Sequence, residues 1–259
     1  MIKAAFFDLD GTLVSGQGTY SPAVKEALQT LRRNGILVFA ATGRAPHEFE
    51  ITGMIKGLPF DAIVALNGQL CYNEQEIIYR HLFDREDALA LIEQAKKCPF
   101  PCMVVEQDDM YINYIDDHVR FALQAIHTPL PKVCDISGAA DKEVLMMMAY
   151  LPQEDTQALV LPVLKHSRVT RWNRFGTDIV PIGCGKCAGI DQILHKYGLT
   201  WENVIAFGDG ENDYEMLKCA KYGVAMGNAD PMLLTGEFTV TGSVEEDGVV
   251  TALRQFGLI

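Results

Sequence analysis

The sequence contains no apolar run approaching the ~18 residues of a membrane span, so no spanning helix is expected. The one apolar run at the N-terminus is cut short by Asp8 and Asp10, so no secretory signal is expected either. Positive charge is scarce. Against 34 Asp and Glu stand 22 Lys and Arg, a net charge of −12, which argues against nucleic acid or an anionic membrane as partner. The six histidines form no cluster that would mark a metal site. Cysteine occurs in an odd number, seven, scattered along the chain, which fits a reducing, cytoplasmic setting better than a disulfide framework. Cys184 and Cys187 do form a CxxC. The nearest second pair, Cys98 and Cys102, is spaced by three residues, and no histidine stands at ligand spacing, so these read as free thiols. Repeats and low-complexity tracts are lacking as well.

What is present is ordinary globular material, 49% hydrophobic and 22% charged, in a chain of 259 residues. That length suits a large core, or a core domain with a smaller companion. Short apolar runs at residues 2–7, 36–41, 62–66, 204–207 and 223–226 predict strands buried on both faces of a parallel sheet. A helix is expected over 22–34, with Ser21 as N-cap, Pro22 at its first position and Gly35 ending it. Val24, Ala27, Leu28 and Leu31 form its apolar stripe. Further helices are expected after Pro46 and over 187–197 and 213–221. The predicted fold class is α/β, an open doubly wound parallel sheet.

The middle of the chain has a different pattern. Helices are expected at 86–97, 119–126 and 155–165, and strands at 103–106, 110–114, 144–150, 168–173 and 177–181. Strands arriving in pairs suggest an antiparallel sheet, hence an inserted α+β domain over 82–183 within a core made of 1–81 and 184–259.

In an open parallel sheet, ligands bind beyond the carboxyl ends of the strands. The predicted strands end in Asp8-Leu9-Asp10-Gly11-Thr12, in Thr42-Gly43-Arg44, in Asn67-Gly68 and in Gly208-Asp209-Gly210-Glu211-Asn212-Asp213, while Lys186 precedes a helix. Carboxylates, a hydroxyl, amides, a lysine and glycines therefore converge on one edge. In this order DLDGT, ATGR, NG, GKCAG and GDGEND resemble the haloacid dehalogenase-like superfamily, specifically its Cof-type phosphatases with a large α/β (type C2B) cap. The resemblance covers essentially the whole chain. It implies that Asp8 is the nucleophile and becomes phosphorylated, and that Asp10 is the general acid and base. It also implies that Thr42 and Lys186, with Leu9, Gly43 and Asn212, bind phosphate. A magnesium site follows from the same likeness, with Asp8, the Asp10 backbone carbonyl, Asp209 and a supporting Asp213. One departure is Cys187, where the family often has glycine after its lysine.

Charge arithmetic supports these roles independently. A phosphate approaching a carboxylate at ~4 Å is repelled by a few kcal/mol per pair of charges even at an effective dielectric of 20. Lys186 alone cannot offset up to four carboxylates, so a divalent cation with oxygen ligands, Mg²⁺, is expected. Two aspartates two residues apart share a face of an extended strand and divide nucleophilic attack from proton transfer. An EF-hand is the competing reading of DxDG, but its sixth position is Leu13, and in GDGEND it is Tyr214, where that loop needs glycine.

Substrate contacts are expected from Arg44 and Asn67 and, since similar caps touch substrate from this region, from Arg171, Asn173 and Asp178 in RVTRWNRFGTDIV. A solvated edge strand and a bare Asn-Gly turn are the structural alternatives for these residues. The expected activity is a Mg²⁺-dependent phosphatase acting on a small phosphorylated metabolite, as a monomer or weak homodimer. A phosphomutase of the same superfamily and a phosphate-binding regulatory protein are the alternatives.

Overall fold

A computed structural model describes all 259 residues. Along the chain run β1 (Ala4–Phe7), α1 (Pro22–Arg33), β2 (Leu37–Ala41), α2 (Pro46–Thr52), β3 (Ala62–Ala65), β4 (Leu70–Tyr72) and β5 (Ile77–Arg80). Next come α3 (Arg85–Lys97), β6 (Cys102–Val105), β7 (Met110–Ile112), α4 (Asp117–Ala125), β8 (Lys132–Val133), β9 (Met146–Tyr150) and a single turn, α5 (Gln153–Asp155). The chain continues through β10 (Ser167–Arg171), β11 (Gly176–Pro181), α6 (Lys186–Tyr197), β12 (Val204–Gly208) and α7 (Tyr214–Cys219), and closes with β13 (Tyr222–Ala225), β14 (Thr239–Val240) and α8 (Gly248–Gln255). No helix is long and apolar enough to cross a membrane.

Residues 1–44, 53–80 and 185–259 form one compact unit. Its eight-stranded sheet has the order β14-β13-β12-β1-β2-β3-β4-β5. All pairings from β14 to β3 are parallel, while β4 and β5 add an antiparallel edge. Every residue of β1 and β12 is buried, as continuous apolar runs require when helices cover both faces of a sheet. α1 forms as the sequence predicts: Ser21 Oγ accepts from Val24 N at 3.1 Å, Pro22 opens the helix, and Val24, Ala27, Leu28 and Leu31 are buried. The strand order turns at β1, since β2 lies on one side of it and β12 on the other. A crevice is expected beyond the carboxyl ends of those strands.

The sequence did not announce β4 and β5. Leu66, Asn67 and Gly68 take φ values of 52°, 50° and 91°, three left-handed residues in a row that reverse the chain after β3. Gly68 is needed for a second reason. A Cβ there would lie 2.1 Å from the Gly185 carbonyl oxygen.

Residues 45–52 and 81–184 form the second unit, so α2 packs with it. Its six-stranded sheet has the order β10-β11-β9-β6-β7-β8, antiparallel except for β7 with β8. Alternate residues Cys102 and Val104, Met147 and Ala149, and Ile179 join Leu91, Ile92 and Ala95 of α3 in one buried cluster. The helix expected over 155–165 is broken instead: α5 passes into a π-helical turn at 156–160 and a 3₁₀ turn at 161–163. Pro162 lacks the N–H a continuing α-helix needs and crowds the preceding turn. The strand expected over 168–173 stops at Arg171, because Asn173 Oδ1 accepts from Phe175 N and Gly176 N and closes the hairpin.

Candidate active site

Asp8 is the first residue past β1, and its N–H donates to the Phe207 carbonyl of the neighbouring strand at 3.0 Å. The chain then turns tightly, with the Leu9 carbonyl accepting from Thr12, Leu13 and Val14 N–H groups. Gly11 makes this possible at φ 78°, and a Cβ on it would lie 2.2 Å from the Asp209 carboxylate. The first and last motifs of the chain are thus in contact. Thr12 Oγ1 donates to Asp209 Oδ1 at 2.9 Å.

Lys186 opens α6 and is almost completely buried. Its Nζ donates to Asp8 Oδ1 at 2.5 Å and to Asp213 Oδ1 at 2.6 Å. The other Asp213 oxygen accepts from the N–H groups of Asp209 and Gly210, both at 3.0 Å. Asp213 therefore shapes the loop after β12 and anchors the lysine at the same time.

Carboxylate oxygens of Asp8, Asp209 and Asp213 lie within 4.8 Å of one another. Burial raises the Asp8 carboxyl well above the ordinary carboxylate range, opposed by the Lys186 charge and reinforced by Asp213 and Asp209. Burial and the Asp213 charge push Asp209 up to about 7. Burial acts to lower the Lys186 ammonium, but the carboxylates of Asp213 and Asp8 outweigh it and hold the group above its usual value. One lysine does not neutralise the three acids. An all-oxygen donor set with excess negative charge is what a hard divalent cation takes, so the residues present fit such an ion.

Asp10 stands apart from that cluster. Its carboxylate receives Arg44 Nε at 2.6 Å and Nη2 at 2.7 Å, a two-pronged ion pair with the arginine buried and the aspartate 42% exposed. Arg44, expected to touch substrate, is committed to Asp10 in this structure. At the end of β2, Thr42 Oγ1 accepts from Arg44 N at 3.1 Å, and the Thr42 carbonyl accepts from Asn67 N at 3.0 Å. Asn212 Nδ2 donates to Asn67 Oδ1 at 3.2 Å, and a Cβ on Gly43 would lie 3.2 Å from the Asn67 amide. Gly43, Asn67 and Asn212 are thus brought together, and the Asn67-Gly68 turn is more than a bare reversal.

In the second unit, Arg171 gives its guanidinium to the carbonyls of Leu151, Asn173 and Arg174 and to Thr156 Oγ1. Asn173 holds its own hairpin and donates to the Ala122 carbonyl at 3.4 Å. Both side chains brace the fold of that unit. Asp178 is buried in β11 opposite Thr170 and Met148.

Two residues without an expected role join the first-unit site. Thr12 orients Asp209, and its place inside DLDGT is the signal that could have found it. Asn228 Nδ2 donates to the Gly11 carbonyl at 2.9 Å while its Oδ1 accepts from Val244 N at 2.8 Å. Nothing in its local sequence marks that bridge.

YkrA of Bacillus subtilis is 29% identical over 258 residues, covering 99% of this chain and 98% of its own. The 5-amino-6-(5-phospho-D-ribitylamino)uracil phosphatase YitU of the same organism is 28% identical over 261 residues, 96% of this chain and 95% of its own. Among solved structures, the subclass IIB sugar phosphatase BT4131 superposes with a TM-score of 0.87 at 30% identity, over 99% of this chain and 100% of the other. The family profile described as haloacid dehalogenase-like hydrolase matches residues 5–253, from β1 through most of α8, so every strand end described above falls inside it. The chain belongs to the haloacid dehalogenase-like hydrolases.

Proposed function

We propose that this hydrolase is a Mg²⁺-dependent phosphatase that removes phosphate from a small metabolite, a sugar phosphate or a cofactor-like ester, through phosphorylated Asp8. The observation that supports this most is the buried chain Asp8–Lys186–Asp213 lying beside Asp209. A phosphate-binding protein gains nothing from a carboxylate placed in a pocket of carboxylates. A nucleophile does, because burial strips it of water and Lys186 fixes its direction. The names of YitU and BT4131 support the substrate class.

The Asp8 carboxylate attacks phosphorus, the bond to the leaving oxygen breaks, and Asp10 gives that oxygen its proton. A water then attacks the same phosphorus, Asp10 takes its proton, and the bond to Asp8 breaks. Arg44 fixes the Asp10 carboxylate in place, while each carboxylate oxygen keeps a second lone pair for a proton. Lys186, Thr42, Gly43, Asn212 and the backbone at Leu9 hold the phosphoryl group, and Asn67 positions Asn212. Asp8, Asp209 and the Asp10 carbonyl would hold Mg²⁺, with Asp213 behind them. The bound ion supplies positive charge to the phosphoryl oxygens and to the carboxylates. For Arg171 and Asn173, the bracing role in their own hairpin is better supported than a substrate contact.

The test is phosphate release from a panel of phosphorylated metabolites, with Mg²⁺ and with chelator. Release is expected only with Mg²⁺, together with a phosphorylated Asp8 peptide trapped during turnover. Release in chelator, or an active Asp8→Asn enzyme, overturns the mechanism. A requirement for a bisphosphate activator would make the protein a mutase.

A further inference from the structure

Within CGKC, Cys184 is buried, whereas Cys187 is half-buried and faces a cysteine of another helix. The Cys187 Sγ lies 3.9 Å from the Sγ of Cys219. All seven cysteines are free. Cys187 sits in the first turn of α6, directly after Lys186, and Cys219 is the last residue of α7, the helix that begins directly after Asp213. The two sulfurs thus join the helices whose starts carry the two ends of the Lys186–Asp213 ion pair.

We propose that Cys187 and Cys219 are a peroxide-sensitive thiol pair whose disulfide ties α6 to α7 and lowers turnover at Asp8. Cys219 is exposed and meets the oxidant first, while Cys187 is half-buried. Burial, with the Cys219 sulfur beside it, pushes the Cys187 thiol up, which fits it to be the resolving partner rather than the first to react. The Cys219 sulfur attacks one oxygen of a hydroperoxide; the S–O bond forms, the O–O bond breaks, and the departing oxygen takes the thiol proton. The Cys187 sulfur then attacks the sulfenic sulfur of Cys219. The S–S bond forms, the S–O bond breaks, and the hydroxide leaves with the Cys187 proton as water. Two thiols lose two electrons, and hydrogen peroxide becomes two waters. Sulfurs now in contact must close to about 2.05 Å, which draws the first turn of α6 toward the end of α7. Lys186 is one residue from that pull, and small misplacements of a reacting group are costly.

The experiment treats the full chain with hydrogen peroxide, then counts free thiols after denaturation and maps cross-linked peptides without reduction. Two of the seven thiols are expected to disappear into one Cys187–Cys219 cross-link, and a dithiol should restore them. Cys219→Ser, left with six thiols, should form no cross-link at Cys187. A disulfide between other cysteines, or Cys219 carried to the sulfinic acid with Cys187 still free, overturns the pairing. The activity arm rests on the phosphatase reading, whereas the thiol map does not, so the two can fail separately. Phosphate release should fall about 10- to 100-fold on oxidation and return with dithiol, while Cys219→Ser under the same treatment holds its rate. A cross-linked protein at full rate overturns the coupling to Lys186.

Discussion

Burying an ammonium between two carboxylates makes the residues on either side of it answer differently to substitution. Lys186→Ala removes the only basic side chain that reaches Asp8 and Asp213 in the hydrogen bonds described above, and leaves both acids buried. Breaking one partner of a buried pair costs on the order of 3–5 kcal/mol, so this variant should unfold at clearly lower urea as well as lose turnover. Asp8→Asn runs the other way. The Asp8 carboxyl is raised by burial and by neighbouring acids, so its charge is a cost to the folded state. Without Mg²⁺, Asp8→Asn should melt no lower than wild type while releasing no phosphate. Melting as low as Lys186→Ala would mean that the Asp8–Lys186 pair is a net stabiliser instead. At this scale much of the cluster was legible, because Asp8, Asp209 and Asp213 lie in short motifs at strand ends and Lys186 at a helix start. Which partner each one takes was not. Arg44 and Asp10 are 34 residues apart, and only the pairing of β1 with β2 brings them together.

Elements show where local pattern stops deciding. The buried parallel strands and α1 announce themselves, because continuous apolar runs and a capped amphipathic stripe are local properties. β4 and β5 do not, since their three or four residues pair only after Leu66, Asn67 and Gly68 reverse the chain. That reversal gives a sharp test. At Gly68 a Cβ meets both an unfavourable φ of 91° and the Gly185 carbonyl at 2.1 Å, whereas at Gly198, the left-handed cap of α6, it meets nothing within 4 Å. Gly68→Ala should therefore cost on the order of 2–4 kcal/mol, because backbone on both sides must shift. Gly198→Ala should cost about 1 kcal/mol, the ordinary penalty of a left-handed alanine. Equal costs in a denaturant titration would show that the Gly68–Gly185 contact relaxes freely. The broken stretch at 156–163 teaches the complementary lesson: an apolar periodicity holds a helix only until a proline removes its hydrogen bond.

At the scale of the whole molecule, the sheet gathers acids from residues 8 to 213 onto one edge, in a chain that already carries a net charge of −12. The sequence disclosed this convergence because strand ends in a doubly wound sheet share one edge whatever their separation along the chain. The energetic consequence needed the burial that only the fold supplies. Without a cation, the folded protein holds protons on Asp8 and Asp209 that the unfolded chain releases near the ordinary carboxylate value of 3.8. The folded state therefore binds more protons between that value and about 7, and stability falls as pH rises through this window. The stabilisation is fully present in acid and is lost as Asp209 ionises, a change on the order of 1–3 kcal/mol. Cation binding draws on the ionised carboxylates and releases those protons, so the melting-temperature gain from Mg²⁺ should grow from about pH 5 to about pH 8. Other carboxylates also titrate at the acid end, so Asp209→Asn is the control: its metal-free melting should depend less on pH, and its response to Mg²⁺ should shrink at every pH. A gain from Mg²⁺ that is equal across the range, with Asp209→Asn indistinguishable from wild type, would place the cation somewhere other than on these carboxylates.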